Sequence, residues 1–279
     1  MEKVAIISDI HGNLEALNSV LSDIEKRNIK RIFCLGDIIA KGTHSEECVN
    51  IVRSRCEVVV KGNVDSDYTR ENVDLSLESE IFANRFLWNR NKLSEESITY
   101  LRSLPYCYEF YFSGRLVRIM HATPQKINGI VSSVDSLYKF YSLFLPSEHT
   151  LSDKKADVVI YGHIHIPYFQ RLYNRAILNS GSVGNSIDVF RSKEKDGNVK
   201  NTTVANYLII SGNFGSMNMD EEISYEFVSV PYDIEKELAA NTDNVERESY
   251  EEELRCGKYR DMSSVYKNFK ERGIDVDKI

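Results

Sequence analysis

The first part of the chain alternates between short apolar runs and amphipathic stretches with helical spacing. The apolar runs predict three β-strands, at residues 4–8, 31–35 and 57–60. The stretches between them predict two helices, over residues 14–28 and from about residue 45. Because a βαβαβ order favours a parallel sheet, the carboxyl ends of these strands should meet at one edge.

Beyond these three strands the pattern of apolar positions changes. Residues 65–104 show no strand pattern and predict two helices, whereas the period-two alternation of residues 106–120 predicts a hairpin. Residues 125–155 predict a loop with a helix, and residues 191–202 predict a charged loop. Apolar runs predict five further strands, at residues 157–161, 168–173, 176–178, 207–210 and 223–230.

A chain of 279 residues can bury a large α/β core. We predict one domain over residues 1–232, with a helical insertion at 65–104, and a C-terminal helical extension over residues 233–279. The formal net charge is −7 and no basic stripe occurs, which argues against binding long nucleic acids through their phosphates. An acidic protein can still bind small phosphates where metal ions supply the positive charge.

The cysteines and the apolar runs bear on the compartment. The five cysteines are scattered and form no C-x-x-C pair, so we expect reduced thiols rather than disulfides or thiolate-bound zinc. Strand-type sequence begins by Val4, which leaves no room for a signal peptide, and no apolar run is long enough to span a bilayer. We therefore expect a cytoplasmic protein that has no membrane partner.

Side chains able to bind metal ions follow the apolar strands. Four of the six histidines in the chain fall at such positions. The full set is Asp9, His11, Asp37, Asn63, His121, His163 and His165. A single histidine after a strand is commonplace, but chance rarely places such residues after five strands, so we predict that these side chains meet at one sheet edge.

The chemistry of this set indicates a catalytic centre with two metal ions. Carboxylate, imidazole and amide ligands without thiolate suit Mn²⁺, Fe or Zn²⁺ in a catalytic rather than a structural site. Seven ligands exceed what one ion with an open position needs, whereas two ions that share one carboxylate would use them all. Two such ions clamp a phosphoryl group and hold a bridging hydroxide that attacks phosphorus.

Five short motifs occur in a fixed order. They are D-I-H-G-N at residues 9–13, G-D-I-I at 36–39, G-N-V-D at 62–65, H-A-T-P at 121–124 and G-H-I-H at 162–165. Together they resemble the motifs of the calcineurin-like metallophosphoesterases, and most closely those of the small bacterial and archaeal phosphodiesterases of the YfcE type. The resemblance covers about residues 3–230 and extends to the N-S-G-S-V-G of residues 179–184, where the family has proline in place of Ser180.

The resemblance implies a four-layer α/β/β/α sandwich with helical additions and a two-metal site at its edge. It implies that Asp37 bridges both ions. The first ion would also take Asp9, His11 and His165, and the second would also take Asn63, His121 and His163. Asp37, Asn63 and His121 would in addition act in catalysis. We expect two divalent ions, Mn²⁺ before Fe, Zn or Ni.

One departure from the family pattern bears on the chemistry. Many relatives have a histidine directly after the asparagine of the third motif, where it protonates the leaving oxygen or holds a phosphate, and here that position is Val64. Loss of a positioned general acid slows cleavage by about 10²–10⁴-fold when the leaving group is poor. We therefore predict hydrolysis of phosphodiesters or phosphoanhydrides of small molecules, nucleotides among them, rather than of alkyl monoesters.

Two alternatives to this function stay open from the sequence. The same site could serve a phosphomonoesterase, or the fold could be a non-catalytic scaffold for protein contacts, although a scaffold has no need of seven ligands. Trp88 and His44, outside the ligand set, are interpreted as a packing residue and a solvated residue. The oligomeric state is left open, with a homo-oligomer as one option.

Overall fold

The computed structural model describes residues 1–187, 190–193 and 199–257. Residues 258–279, which end the predicted C-terminal extension, lie outside this described part. The strands are β1 (Glu2–Ile7), β2 (Arg31–Cys34), β3 (Val58–Val59), β4 (Cys107–Phe112), β5 (Arg115–Met120), β6 (Val158–Tyr161), β7 (Tyr168–Leu172), β8 (Arg175–Asn179), β9 (Phe190–Lys193), β10 (Val199–Thr202), β11 (Ala205–Gly212) and β12 (Ser224–Val230). The helices are α1 (Leu14–Lys26), α2 (Ser45–Arg55), α3 (Asn63–Tyr68), α4 (Glu80–Arg90), α5 (Glu95–Ser103), α6 (Leu137–Ser142), α7 (Ile234–Ala240) and α8 (Arg247–Cys256).

Two five-stranded sheets form the centre of the molecule. The first has the order β12-β11-β1-β2-β3, and its β1, β2 and β3 run parallel as the sequence predicts. Strand β11 pairs antiparallel with the free side of β1, so β1 lies in the middle of the sheet. This position explains the continuous apolar run of β1, because a central strand covered on both faces has no solvent-facing side.

The second sheet has the order β4-β5-β6-β8-β7. The predicted hairpin is present as the antiparallel pair of β4 and β5, and β5, β6 and β8 run parallel. Apolar side chains of both sheets form one cluster between them, including Val4 and Ile6 of the first sheet and Val117 and Ile160 of the second. The two sheets therefore pack face to face.

Helices cover the outer faces of this sheet pair. Helix α1 buries Leu17, Val20 and Ile24 in a cluster that includes Ile7 from β1, and α2 and α5 contribute to the same cluster. On the other side, Phe140 of α6 packs in a cluster with residues of the second sheet. The order helix, sheet, sheet, helix confirms the predicted four-layer α/β/β/α sandwich.

The stretch from residue 65 to 104 is helical and contains no strand in the structure. The sequence predicts two helices here, and the structure also has α3, which begins at Asn63, and a 3-10 helix at Leu75–Leu77. The side chain of Asp65 accepts a hydrogen bond from the Gly62 N–H at 3.0 Å and so caps this short helix. A helix of six residues is too short to show an apolar period, which is why the sequence pattern missed it.

The prediction of a charged loop at residues 191–202 is wrong for those of its residues that the structure describes. Strands β9 and β10 pair antiparallel, with Val199 opposite Lys193 and Thr202 opposite Phe190. Strand pairing is made by backbone hydrogen bonds, so it can occur in a polar sequence that lacks the apolar pattern used to predict strands. Residues 234–256 of the following segment include the helices α7 and α8, which share a small apolar cluster of their own. No helix in the described part of the chain has the length and apolar character needed to cross a membrane.

Candidate metal centre

Six of the seven predicted ligands form two adjoining groups at one edge of the sheet pair. Asp9, His11 and His165 form the first group, and Asp37, His121 and His163 form the second. Each group combines residues that follow strands of both sheets, since β1 and β2 belong to the first sheet and β5 and β6 to the second. The close contact between the two sheets thus brings these side chains together.

The ligand atoms of the first group converge on a small space. His165 Nε2 lies 3.2 Å from His11 Nε2 and 3.3 Å from Asp9 Oδ1. In the second group, His121 Nε2 lies 2.9 Å from Asn63 Oδ1 and 3.2 Å from His163 Nδ1. The seventh predicted ligand, Asn63, therefore joins the second group.

A single carboxylate oxygen lies between the two groups. Asp37 Oδ2 is 3.8 Å from His11 Nε2 in the first group and 3.4 Å from His121 Nε2 in the second. The other oxygen of Asp37 accepts a hydrogen bond from the Val64 N–H at 2.8 Å, which fixes the orientation of the carboxylate. Asp37 is thus placed to contribute to both groups.

Backbone carbonyls orient three of the imidazole rings. The Nδ1 atoms of His11, His121 and His165 lie 3.3, 2.8 and 2.6 Å from the carbonyl oxygens of Ile39, Leu35 and Asn185. A ring that donates its Nδ1–H to a carbonyl keeps its Nε2 lone pair for a metal ion. The Nε2 atoms of these three rings are the ones that point into the centre.

Electrostatics keep much of the centre in a metal-binding protonation state. Burial and the neighbouring His165 lower the pKa of His11 to about 3, and burial and His121 lower the pKa of His163 to about 4. Burial opposes the ionisation of Asp9, yet the His165 imidazole holds the pKa of that carboxyl well below its usual range. For His121, burial is outweighed by Asp37, which raises the pKa to about 9 without a metal ion.

The donor atoms fit metal ions better than they fit one another. Asp9 Oδ1 is buried and accepts no hydrogen bond from the described residues. The Nε2 atoms of His11 and His165 face each other across 3.2 Å, although both are acceptors in the tautomer that the carbonyls select. A buried acceptor such as Asp9 Oδ1 is unfavourable without a donor, and a divalent ion in the first group would satisfy it.

The backbone at the centre is held in an uncommon conformation. Five of the seven predicted ligands have positive φ angles, between 52° and 67°. They are Asp9, His11, Asp37, His163 and His165. The left-handed region costs a non-glycine residue on the order of 1 kcal/mol, so the surrounding structure must hold these loops in place.

Asp65 is one of the residues that hold the loops. Its carboxylate accepts hydrogen bonds from the backbone N–H groups of Asp37, Ile38 and Gly62, at 2.8, 2.9 and 3.0 Å. Burial and the nearby Asp37 raise the pKa of Asp65 to about 6, whereas the N–H donors favour its charged form. Gly62 is required beside it, because a Cβ at this position would lie 2.1 Å from Asp37 Oδ1.

Two further polar residues, one at the end of β8 and one just after it, support the centre. Asn179 donates a hydrogen bond to the Gly162 carbonyl at 2.5 Å, and Ser182 donates one to the Asp9 carbonyl at 2.8 Å. The structure also shows a feature that the sequence did not reveal. Trp88, interpreted from the sequence as a packing residue, lines a cavity that reaches His11.

The fold and this centre define a protein with two adjoining divalent-metal groups at a sheet edge. The chain belongs to the calcineurin-like phosphoesterase superfamily, since the sequence profile of that superfamily domain matches residues 2–195. This confirms the family resemblance of the five motifs and a metal-dependent phosphoesterase as the class. The narrower placement in the YfcE-type branch stays a prediction.

The chain is also similar to individual proteins, to one in sequence and to two in fold. The chain is 31% identical over 253 residues to the protein MJ0912 of Methanocaldococcus jannaschii, a match that covers 84% of this chain and 89% of that protein. Among solved structures, a metallophosphoesterase from Sphaerobacter thermophilus has 24% identity and a TM-score of 0.65, covering 92% of this chain and 99% of its own. The protein PH1004 from Pyrococcus horikoshii has 16% identity and a TM-score of 0.69, covering 92% and 100%.

Proposed function

We propose that this protein is a two-metal phosphohydrolase that cleaves phosphodiester or phosphoanhydride bonds. The observation that carries the proposal is the position of Asp37 Oδ2, which lies 3.8 Å from His11 Nε2 and 3.4 Å from His121 Nε2. An oxygen between two ligand groups suits a carboxylate that bridges two ions. We propose Mn²⁺ as the preferred ion.

The residues of the centre have separate roles in this proposal. Asp9, His11 and His165 would hold one ion, Asn63, His121 and His163 the other, and Asp37 both. Two bound ions would activate water for attack on phosphorus and offset the negative charge of the phosphate oxygens. Asn63 and His121 lie at the second group, where their dipoles would favour the charge that develops on the phosphate.

The preference for diesters and anhydrides rests on Val64. The side chain at this position cannot donate a proton, although Val64 is bound through its N–H to the bridging Asp37. A leaving group of low pKa departs without a general acid, whereas an alkoxide needs one. We further propose a cytoplasmic location and a small phosphorylated substrate such as a nucleotide, since the net charge of −7 disfavours long nucleic acids.

The test is a comparison of substrates with protein reconstituted with Mn²⁺. We expect kcat/KM for bis(p-nitrophenyl) phosphate or a dinucleoside polyphosphate to exceed that for glycerol 2-phosphate. Asp37→Ala should abolish activity toward all three, whereas Asp153→Ala, the same change at an exposed position, should not. A native enzyme that prefers glycerol 2-phosphate would be a monoesterase, and no activity with any substrate would favour the scaffold function.

A further inference from the structure

A cavity of about 390 Å³ opens beside the metal centre. Its lining includes His11 of the first ligand group and Val64, the neighbour of the ligand Asn63. A group bonded to a phosphate at the centre can therefore extend into the cavity. The volume lies within the range of roughly 300–1,000 Å³ found for small-molecule sites.

Three segments that are distant in sequence form the walls of this cavity. One is the loop at Ala40 and Lys41, which follows Asp37. The second comprises Tyr68 and the residues Arg85, Trp88 and Asn89 of α4. The third is residues 244–246, between α7 and α8.

Polar contacts fasten the third wall to the other two. The Asn244 side-chain amide donates a hydrogen bond to the Lys41 carbonyl at 2.5 Å, and Arg85 forms an ion pair with Glu246. Next to the cavity, Lys92 forms an ion pair with Asp243 at 2.5 Å. The C-terminal extension is thus attached across α4 and the Lys41 loop, and it closes one side of the cavity.

The α4 wall combines an aromatic ring with polar atoms that have no partner. Trp88 Nε1, Arg85 Nε and Asn89 Oδ1 are buried and form no hydrogen bond in the described structure. Asn89 is 2% exposed, and its amide nitrogen is already engaged with the Arg85 carbonyl at 2.8 Å. One indole donor, one guanidinium donor and one amide acceptor therefore lack partners within one turn of the helix. Buried polar groups without partners are rare in folded proteins.

We propose that this cavity is the subsite for a planar heteroaromatic ring of the substrate, such as a nucleobase. Stacking on an aromatic side chain and hydrogen bonding along the ring edge are the contacts by which proteins hold unpaired bases. An alkyl group has neither a π face to stack on Trp88 nor a ring edge for hydrogen bonds. A further phosphate would meet Arg85 already paired with Glu246.

This inference rests on the proposed function, because it assigns the cavity to the substrate of the adjoining centre. The heteroaromatic group would be the source of specificity, and the C-terminal extension would be part of the substrate site. The ring subsite and the phosphohydrolase function can fail separately, since ring binding is measurable without metal ions and without turnover.

The first experiment uses the single tryptophan of the chain, Trp88, as a probe. Native protein in EDTA is titrated with adenosine and with ribose while the tryptophan fluorescence is recorded. We expect adenosine to quench the fluorescence to saturation and ribose to leave it unchanged. The absence of saturable quenching by adenosine would overturn the proposal.

The second experiment measures selectivity with Mn²⁺ bound. Two diesters share the p-nitrophenolate leaving group, and one carries a nucleoside 5′ group where the other carries methyl. We expect native protein to prefer the nucleoside ester in kcat/KM, and Asn89→Leu and Arg85→Met to reduce that preference by about tenfold or more. Arg90→Met makes the same change on α4 outside the cavity lining and should keep the native ratio.

Thermal unfolding of each variant separates a lost contact from a lost fold. Variants that melt like native protein but lose both adenosine quenching and the nucleoside preference would support the subsite. Equal kcat/KM for the two esters in native protein would overturn it and leave the phosphohydrolase function intact. Saturable adenosine binding without cleavage of either ester would support the subsite and contradict the phosphohydrolase function.

Discussion

Val64 departs from the family pattern beside the metal centre, and this departure has a testable consequence. It borders both Asp37, through its N–H, and the cavity beside the centre. A histidine placed here would face the same space and could protonate a leaving oxygen. The missing proton donor is therefore a property of one side chain rather than of the whole site.

We expect Val64→His to raise monoesterase activity relative to diesterase activity. An evolved general acid contributes about 10²–10⁴-fold, so an introduced one should change the ratio by about tenfold. The measurement is kcat/KM for glycerol 2-phosphate and for an aryl diester with the same metal ion. Val134→His, at a position that is 52% exposed, serves as the control. An unchanged ratio would mean that another group already supplies the proton.

Asp65 has its effect through the backbone. We expect Asp65→Asn to lower the free energy of unfolding by about 1–3 kcal/mol. The carboxylate now accepts hydrogen bonds from backbone N–H groups, and in the variant an amide nitrogen would face one of these donors. Since Asp65 positions the ligand loop, Mn²⁺ affinity should fall by about 10–100-fold. Urea unfolding and Mn²⁺ titration check this, with the exposed Asp67→Asn as the matched control. Native Mn²⁺ affinity in the Asp65 variant would contradict the positioning role.

A buried carboxyl between helices α7 and α8 should make the stability of the fold depend on pH. Glu237 of α7 is fully buried beside Tyr250 of α8, whose hydroxyl donates a hydrogen bond to it at 3.3 Å. Burial raises the pKa of Glu237 to about 7. Between the ordinary pKa of a glutamate and this value the folded state binds more protons than the unfolded state, so stability falls as pH rises.

We expect Glu237→Gln to remove this part of the pH dependence. In native protein the buried carboxyl should lower the free energy of unfolding by on the order of a few kcal/mol between about pH 5 and pH 8. The glutamine variant should show a smaller decrease across the same range. Urea unfolding in EDTA measures both, so that metal binding does not contribute. The exposed Glu235→Gln on the same helix should behave like native protein, and equal slopes in all three would refute the assignment.

The helices and strands show how far the sequence could predict the fold. Apolar periods located α1, the β4–β5 hairpin and the parallel β1–β3 unit, because these elements bury a defined face or both faces. Helix α3 was not predicted because it is short, and the β9–β10 pairing was not predicted because its sequence is polar. The placement of β11 beside β1 is a long-range choice, and local pattern carries no information about it.

The candidate ligands were predictable for a related reason. Each follows an apolar strand, so its position could be read from the local pattern of apolar and polar residues. The positive φ angles of Asp9 and His163 and the support from Asp65 could not be read in this way, because they depend on loops of both sheets. The cavity escaped for the same reason, since its walls come from segments near residues 41, 88 and 245.

For the whole molecule, the two ligand groups are the points at which ions would join the sheets. His165 and His121 follow strands of the second sheet, whereas Asp9 and Asp37 follow strands of the first. An ion bound in either group would link the two sheets. Ion binding should therefore stabilise the fold as a whole and not only the site.

We expect two Mn²⁺ ions per chain and a higher Tm in their presence than in EDTA. Each site at about 100 times its Kd would add about 2.7 kcal/mol to the free energy of unfolding. Asn63→Ala should weaken mainly one ion, and Asp37→Ala should lose most of both. Elemental analysis and thermal unfolding measure the two effects. One ion at saturating Mn²⁺, or equal stoichiometry in the native and Asp37 proteins, would contradict the two-ion centre.

The pairing of β1 with β11 has a consequence for the nascent chain on the ribosome. Ile6 lies opposite Leu208, so one edge of β1 can pair only after about 200 further residues have been synthesised. At about 5–20 residues per second, this wait lasts roughly 10–40 s. During that interval β1 presents an apolar edge to other chains, the kind of surface that chaperones protect. The first ligand group is likewise incomplete until His165 has been synthesised, so an ion could use all three of its side chains only after that point.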